Sequence, residues 1–474
     1  MTTLDWARTQ FAVTTLFHFI FVPMSIGLAL FVAICQTQHY RTGNELWMRM
    51  TRFWGKFLLI SMAIGVVTGI VQEFQFGMNW SQYSRYVGDV FGAPLAMEGL
   101  LAFFLESTFL GLWIFGAGRL SARLHLMSVW LLAIGTILSA YFILAANSWM
   151  QHPVGYVINH ATHRAHLTNI FAVLFNSTTL FAFPHTILGA FTTGGMLVIA
   201  VCGWLLLRGR QSDVVSKSLR LALPFTLAAV LATMVVGDSF GRLLEKQQPM
   251  KMAAAEVVYH TQKGAPFSLL STGPLKAHPK SVTNEIRVPH LLSLITTLSW
   301  NGTVHGMDNL QAADVKKYGP GNYLPIVGAT YWSFRLMIGA GSLMLLLAVV
   351  GLWLARKRRL ESTRWFHRLA LLGVVLPILA NWTGWIFTEV GRQPWVVFGL
   401  LKTSQSDSPN VSTADIVITL AGYIVIYGVL IAIGGWLMVR EVGHGPEPAP
   451  LPEDPGAPGI PHSKDTPDEL SLAY

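Results

Sequence analysis

Charged residues are scarce in this sequence. Of its 474 residues, only 12% are Asp, Glu, Lys or Arg, whereas 52% are hydrophobic and the mean hydropathy is +0.48. Soluble domains carry about 25% charged residues, so the composition excludes a soluble globular enzyme and indicates an integral membrane protein. The net charge of +9 does not indicate nucleic-acid binding, because the basic residues lie mostly in short loops between apolar runs.

Cysteine is scarcer still, with only Cys35 and Cys202 present. They lie in, or at the end of, separate apolar runs, which excludes a disulfide framework and a cysteine metal site. No cleavable signal peptide is expected, because the first apolar run is too long and lacks a preceding basic segment or a small-residue cleavage site.

Long apolar runs dominate what is present. A helix needs about 20 apolar residues to cross the hydrocarbon, and nine runs meet or approach this length. The sequence therefore predicts an all-α membrane protein of about nine transmembrane helices. The sixth run is the shortest. The predicted spans are 11–35, 54–76, 94–116, 124–146, 184–207, 219–237, 327–354, 368–390 and 414–438.

Lys and Arg are unevenly distributed between the two sets of loops. Thirteen follow spans one, three, five and seven, and four follow spans two, four and eight. The positive-inside rule then predicts an outer N-terminus and a cytoplasmic C-terminus. Four segments are expected: helices one to six in 1–237, a polar extracytoplasmic loop in 238–326, helices seven to nine in 327–442, and a tail in 443–474. The tail holds eight prolines, a composition typical of disorder.

Four metal-ligand side chains are expected at a similar depth, in the outer half of the membrane. They are His18, His185, Met337 and Glu389, on spans one, five, seven and eight. One His and one Met are the ligands of a closed haem iron, and a further His and a carboxylate can each hold an iron with an open position. The alternative is that the histidines are hydrogen-bonding partners and Met337 is packing.

Two carboxyls lie deep in span three. Glu98 and Glu106 are eight residues apart, so both can face one side of a regular helix. Such spacing is typical of a proton relay, which Ser107 and Ser139 could extend. The alternative is that one Glu pairs with a buried base such as Lys56.

Three other groups carry weaker signals. Arg335 and Arg392 could clamp haem propionates, or could be ordinary interfacial arginines. Gln248, Lys251 and Glu256 could hydrogen-bond a quinol headgroup from a short helix over 250–260. We do not interpret the histidines of INHATHRAHL as a metal site, because they lie in an exposed loop with no acidic residue nearby; they are His160, His163 and His166.

Several long stretches resemble subunit I of the cytochrome bd-type quinol oxidases, over nearly the whole chain except the tail. They are RTQFAVTTLFHFIFVP, RFWGK, EFQFGMNWSQYSRYVGDVFGAPLAMEGLLAFFLESTF, ANSWMQHP, FRLM and GRQPW. The loop between Gly237 and Ile326 is similar to the shorter version of the family's quinol loop, which leaves the preferred quinone open.

The resemblance implies two haems b and one haem d. By their matching positions, His185 and Met337 ligate the low-spin haem b. His18 and Glu389 ligate the two high-spin haems, and we assign His18 to haem d and Glu389 to the second haem b. Other implied positions are Glu98 beside the high-spin haems, Glu106 on the proton path, Arg335, Arg392 and Trp385 at the haems, and Lys251 and Glu256 at the quinol.

The implied activity is that of a terminal oxidase in the bacterial cytoplasmic membrane. It oxidises menaquinol or ubiquinol at the outer face and reduces O2 to water with cytoplasmic protons, without a proton pump. A homologous polytopic subunit II is the expected partner in the lipid bilayer, and small single-span subunits are compatible with the resemblance. No nucleic-acid partner is expected.

Two other functions fit part of the same pattern. A di-haem quinone–cytochrome b subunit would need only closed-site ligands and would leave His18 and Glu389 unexplained. A proton-coupled transporter using Glu98 and Glu106 would be colourless and usually built from internal repeats, which we do not find.

Overall fold

The computed structural model describes residues 2–159, 161–273, 275–276 and 284–447. The tail from residue 448 onward and His160 lie outside the described residues. Within them, nine helical stretches are long and apolar enough to cross a membrane, as the sequence predicts. They are Thr3–Thr42, Glu45–Met78, Ser81–Phe115, Ala122–Gln151, Ser177–Leu207, Asp213–Gln247, Val327–Arg356, Arg364–Val390 and Thr413–His444.

Every spanning helix is longer than its apolar run. The sixth predicted run, 219–237, lies within a helix of 35 residues, which is about 52 Å at 1.5 Å per residue. The hydrocarbon is about 30 Å thick, so the helix extends beyond it. The extra turns are capped by polar residues, as where the Ser212 hydroxyl accepts a hydrogen bond from Val215 N.

Two of the nine stretches are interrupted. The third comprises two α-helices separated by a π-helical segment at Glu98–Phe103, and Gly88 adopts a non-helical backbone conformation within its first part. The eighth comprises two consecutive helices. In chain order the helices are α1 Thr3–Thr42, α2 Glu45–Met78, α3 Ser81–Met97, α4 Phe104–Phe115, α5 Ala122–Gln151, α6 Ile170–Leu174, α7 Ser177–Leu207, α8 Asp213–Gln247, α9 Pro249–Ala255, α10 Leu291–Thr297, α11 Met307–Tyr318, α12 Val327–Arg356, α13 Arg364–Ala370, α14 Leu372–Val390 and α15 Thr413–His444.

Short antiparallel strand pairs lie in the loops. The strands β1 and β2 form a hairpin after α5, and β4 and β5 form another in the loop between α8 and α12. The remaining pairs are β3 with β6 and β7 with β8. Their bounds are β1 Tyr156–Asn159, β2 Arg164–Leu167, β3 Gln262–Lys263, β4 Phe267–Thr272, β5 Asn284–Val288, β6 Thr303–Val304, β7 Trp395–Val397 and β8 Leu401–Lys402.

The bundle is built around α1 and α7. In α7, 78% of the most apolar stretch is buried, and in α1 61% is. The two helices touch at Gly27 and Gly194, where a β-carbon added to Gly27 would lie 2.8 Å from the Gly194 Cα. Small residues permit such close backbone packing in membranes, where the hydrophobic effect does not drive helix association. This crossing sets the spacing of the helices that carry His18 and His185.

Candidate functional site

The rings of the two intramembrane histidines are oriented by hydrogen bonds from Nδ1. His185 Nδ1 donates to the carbonyl of Thr233 on α8 at 3.2 Å. His18 Nδ1 lies 2.9 Å from the Thr68 hydroxyl, which can donate its own proton to the Ile64 carbonyl of α2, so we assign the ring as the donor. In both histidines the neutral ring then carries its free lone pair on Nε2, which is the arrangement that second-shell partners impose on metal-ligating histidines.

Glycines on neighbouring helices face two of the predicted ligands. A β-carbon on Gly237 would lie 2.9 Å from His185 Cε1, and one on Gly384 would lie 2.9 Å from Met337 Sδ. The helices α7, α8, α12 and α14, which carry these residues, pack against one another. A side chain larger than glycine at either position would therefore push the predicted ligand aside.

Glu389, at the end of α14, is held by two donors. Its Oε1 accepts a 2.9 Å hydrogen bond from Asn147 Nδ2, and its Oε2 pairs with Arg392. Each carboxylate oxygen has two lone-pair sites, so these contacts leave acceptor capacity for a metal. Sequence reasoning did not assign Asn147, although it lies in the ANSWMQHP stretch, because its partner is 242 residues away.

Buried donors without acceptors lie around this carboxylate. Arg392 Nη1 and the Tyr83 hydroxyl have no hydrogen-bond partner, and Tyr83 lies within electrostatic range of Arg392 and Glu389. Buried unsatisfied donors are costly, and a cation with an unused N–H suits an anionic group such as a haem propionate. The donor chemistry at Arg392 therefore fits the implied cofactor.

Trp385 lies on the side of α14 that faces α1. Its ring is 5.9 Å from that of Phe19 and 6.2 Å from that of Phe11, so it packs beside the turn that holds His18. This position agrees with the haem contact that the resemblance implies.

Both deep carboxyls of the third spanning stretch face α5. Ser139 donates a 2.7 Å hydrogen bond to Glu98 Oε1, and a β-carbon on Gly135 would lie 3.0 Å from Glu106 Cγ. The regular helix assumed from the sequence is wrong here, because the π-helical segment Glu98–Phe103 lies between the two residues. Such segments often occur at functional sites.

Three neighbours change the predicted relay. Glu73 of α2 lies within hydrogen-bonding distance of the Glu98 carboxyl, a neighbour that was not predicted. Ser107 is exposed and donates to Phe103 O at 2.9 Å, so the structure does not bring it to Ser139. Lys56 pairs with Glu441 at 3.3 Å, which argues against Lys56 as the partner of either glutamate in α3–α4.

The predicted quinol residues are buried within the short helix α9 and at its two caps, Gln248 before it and Glu256 after it. Lys251 Nζ donates to Gln151 Oε1 at 2.9 Å, and Gln248 Nε2 donates to the same atom at 3.0 Å. Burial lowers the pKa of Lys251 to about 7. Gln151 therefore links the end of α5 to α9, a role that could not be predicted because its partners are about 100 residues away.

Glu256 forms a buried ion pair with Arg335. The guanidinium donates to both carboxylate oxygens, at 3.2 Å and 2.6 Å, and lies 4.7 Å from the ring centroid of Phe267 and 4.8 Å from that of Tyr331. Burial raises the pKa of Glu256 to about 6, although the cation opposes the rise. Arg335, expected at a haem propionate, keeps only its Nε without a partner.

His163 and His166 lie in the β1–β2 hairpin. The expectation that no acidic residue lies nearby is wrong for His166, whose Nδ1 is 3.5 Å from Asp89 Oδ2. The same carboxylate accepts a hydrogen bond from Leu167 N, because β2 packs against α3. Asp89 therefore fixes the hairpin to the bundle.

Comparisons with known proteins agree on one family. The family model for cytochrome bd terminal oxidase subunit I matches residues 6–446. The chain is 46% identical to cytochrome bd ubiquinol oxidase subunit 1 of Bacillus subtilis (strain 168), covering 94% of this chain and 95% of that protein. It is 35% identical to cytochrome bd-II ubiquinol oxidase subunit 1 of Escherichia coli (strain K12), covering 94% and 97%. The structure is similar to that of the bd oxidase from Geobacillus thermodenitrificans, with a TM-score of 0.85, 26% identity and coverage of 94% and 99%.

Proposed function

Since the chain belongs to the subunit I family of the cytochrome bd terminal oxidases, we propose that it is the haem-bearing subunit of a quinol:oxygen oxidoreductase. It oxidises quinol at the outer membrane face and reduces O2 to water with cytoplasmic protons. The observation that carries this proposal is the Nδ1 bonding of His18 and His185, which leaves Nε2 of each ring free to bind iron.

The proposed cofactors are two haems b and one haem d. His185 and Met337 hold the low-spin haem b, His18 holds haem d, and Glu389 holds the high-spin haem b. When bound, these haems supply one-electron transfer and the site of oxygen reduction. The chain's own contribution is orientation, since Thr68 and Thr233 fix the histidine rings and Asn147 positions the Glu389 carboxylate.

Quinol oxidation is assigned to α9 and its surroundings. Lys251, with a pKa of about 7, is a buried donor that can be neutral or charged near neutral pH. Glu256, with a pKa of about 6, can accept a hydroxyl proton from the quinol and return to the carboxylate form beside Arg335. Both pKa values lie close to the working pH, as acid–base groups require. Gln248 shares Gln151 with Lys251 and completes the polar wall.

The proton path to the oxygen site is assigned to Glu106, Glu98 and Ser139, with Glu73 added beside Glu98. Protons enter from the cytoplasm past Glu106. Quinol protons leave on the outer side, so charge separation follows from the two positions and needs no pump. Ser107 is left out of the path, because its hydroxyl bonds its own helix.

The orientation follows the loop charges, with the N-terminus outside, the 238–326 loop outside and the 443–474 tail in the cytoplasm. The proposed segments remain 1–237, 238–326, 327–442 and 443–474.

A homologous subunit II is the proposed partner in a bacterial cell membrane. The third spanning stretch suits its docking surface, because only 6% of its most apolar part is buried within this chain.

An optical spectrum of the purified complex tests the proposal. A reduced-minus-oxidised spectrum with a red haem d band and haem b bands is expected. A spectrum with haem b alone would favour a di-haem electron-transfer subunit, and a colourless protein would favour a transporter. In His185→Ala, loss of the low-spin haem b signal is expected; retention would contradict the ligand assignment.

A further inference from the structure

A narrow cleft opens beside Glu256. Its walls come from the end of α8, from α9, from α10 and from the residues around β6. Glu245, Met252, Glu256, Thr296 and His305 are among the lining residues. Three of these side chains can carry a proton, and no part of the mechanism above uses Glu245 or His305.

The three titratable groups differ in their exposure. Glu256 is only 5% exposed, Glu245 is half-buried, and His305 is exposed. The Thr296 hydroxyl lies within hydrogen-bonding distance of the Glu245 carboxyl, and His305 lies within electrostatic range of it. The cleft therefore connects the buried Glu256 to the exposed His305 by way of the half-buried Glu245.

Quinol oxidation needs such an exit. When a quinol becomes a quinone, two O–H bonds break, two electrons pass to the oxidase and two protons must leave. A proton on Glu256 neutralises the partner of Arg335 inside an aromatic enclosure. The buried cation then favours rapid return to the carboxylate, because an unpaired buried charge is costly.

The charges facing the cleft suit a relay outward. Arg335 faces Glu256 from α12, and Lys246 acts on Glu245 from the neighbouring position on α8. Neither cation lines the cleft between the two carboxyls. A proton can therefore pass from Glu256 through the cleft to Glu245, and from there to His305.

We propose that Glu245 and His305 carry the proton released by quinol from Glu256 to the outer aqueous phase. This inference rests on the proposed role of Glu256 in quinol oxidation. Each transfer moves one proton between a carboxyl or imidazole and its neighbour, and the electrons leave separately to the haems.

The test uses the complete membrane complex with Glu245→Gln, His305→Asn or His305→Ala, and with His260→Asn as a matched loop-histidine control. His260 pairs with Asp308 and is not among the residues that line the cleft. Turnover and KM with quinol are measured by oxygen uptake in H2O and in D2O. Oxygen uptake with an artificial donor that reduces the haems directly is measured in parallel.

About a hundredfold fall in quinol turnover is expected for Glu245→Gln, the lower end of what a positioned proton-transfer group contributes. KM and the artificial-donor rate should stay unchanged, and the solvent isotope effect should rise. Added imidazole should restore turnover in His305→Ala but not in Glu245→Gln. His260→Asn should behave as the parent enzyme.

Three results would overturn the inference in distinguishable ways. If Glu256→Gln abolishes quinol oxidation while Glu245→Gln and His305→Asn match the parent in rate and isotope effect, the exit lies elsewhere and only this inference is wrong. If Glu256→Gln itself leaves quinol oxidation intact, both the proposed role of Glu256 and the proton relay that starts from it are wrong. A parallel loss of artificial-donor activity in Glu245→Gln would indicate misfolding and also contradict a relay role.

Discussion

The buried ion pair between Arg335 and Glu256 should control the pH dependence of quinol oxidation. Replacing Arg335 by Gln removes a cation bonded to both carboxylate oxygens, at 3.2 Å and 2.6 Å. An adjacent cation lowers a carboxyl pKa by about 1–3 pH units. The pKa of Glu256, already about 6 because of burial, should therefore rise further in Arg335→Gln.

The consequence at neutral pH can be worked out. With its pKa at about 6, Glu256 is carboxylate in about nine tenths of the molecules at pH 7, and a further rise of about two pH units would leave about one tenth. Only the carboxylate can accept a proton from quinol. Turnover of Arg335→Gln at pH 7 should thus fall about tenfold and recover as the pH is raised, since the required base form appears only above the higher pKa.

The assay is quinol-dependent oxygen uptake from pH 6 to pH 9 on the purified complex, beside the artificial-donor rate and the reduced-minus-oxidised spectrum. Arg335→Lys keeps a cation and should show a smaller alkaline displacement. An Arg335→Gln enzyme whose turnover is lower at every pH, with no alkaline displacement of the pH profile, would refute the reasoning. Loss of haem absorbance would instead indicate that Arg335 acts at a haem propionate.

Three other perturbations test separate parts of the molecule. Gly384→Ala should alter the low-spin haem b band, because the new β-carbon would lie 2.9 Å from Met337 Sδ. As a control, the new β-carbon of Gly339→Ala would meet no atom within 4 Å, so this variant should leave the spectrum unchanged. Identical spectra for the two variants would argue against Met337 as a ligand. Glu106→Gln should slow oxygen reduction with quinol and with the artificial donor alike, by about 10²-fold or more, with haem bands retained; a loss confined to quinol would place Glu106 off the oxygen-side proton path. Lys251→Met should raise the quinol KM and change the dependence of stability on pH. Burial lowers the pKa of Lys251 from 10.5 to about 7. Between these two pH values the folded parent binds fewer protons than the unfolded chain, so its stability rises with pH. Thermal unfolding of Lys251→Met that retains the parent's rise over this window would contradict the burial of a neutral amine.

The sequence predicted the spanning helices well, because a membrane requires long apolar runs and self-satisfied backbone hydrogen bonds. It predicted their ends less well, since the turns beyond the hydrocarbon are polar, as at both ends of Asp213–Gln247. The π-helical segment Glu98–Phe103 was not predicted, because its pattern of apolar residues differs little from that of an α-helix.

Residue types could be predicted as site candidates, but their partners could not. The bond between Arg335 and Glu256 joins residues 79 positions apart, and that between Asn147 and Glu389 joins residues 242 apart. Periodicity within one helix carries no information on such pairs. The family resemblance supplied roles for individual positions, whereas the contacts that tune those positions follow from the packing of separate helices.

The contact between Gly27 and Gly194 has a consequence for how mutations combine. Since α1 and α7 touch there through backbone atoms, neither helix can shift without the other. His18 and His185, which belong to different proposed haems, are therefore coupled mechanically although they lie on different elements. A larger residue at Gly27 would disturb both sites at once, and its effect should not add to that of a mutation near either histidine. In genetic terms, a mutation at this crossing would have the combined phenotype of mutations at two separate cofactor sites.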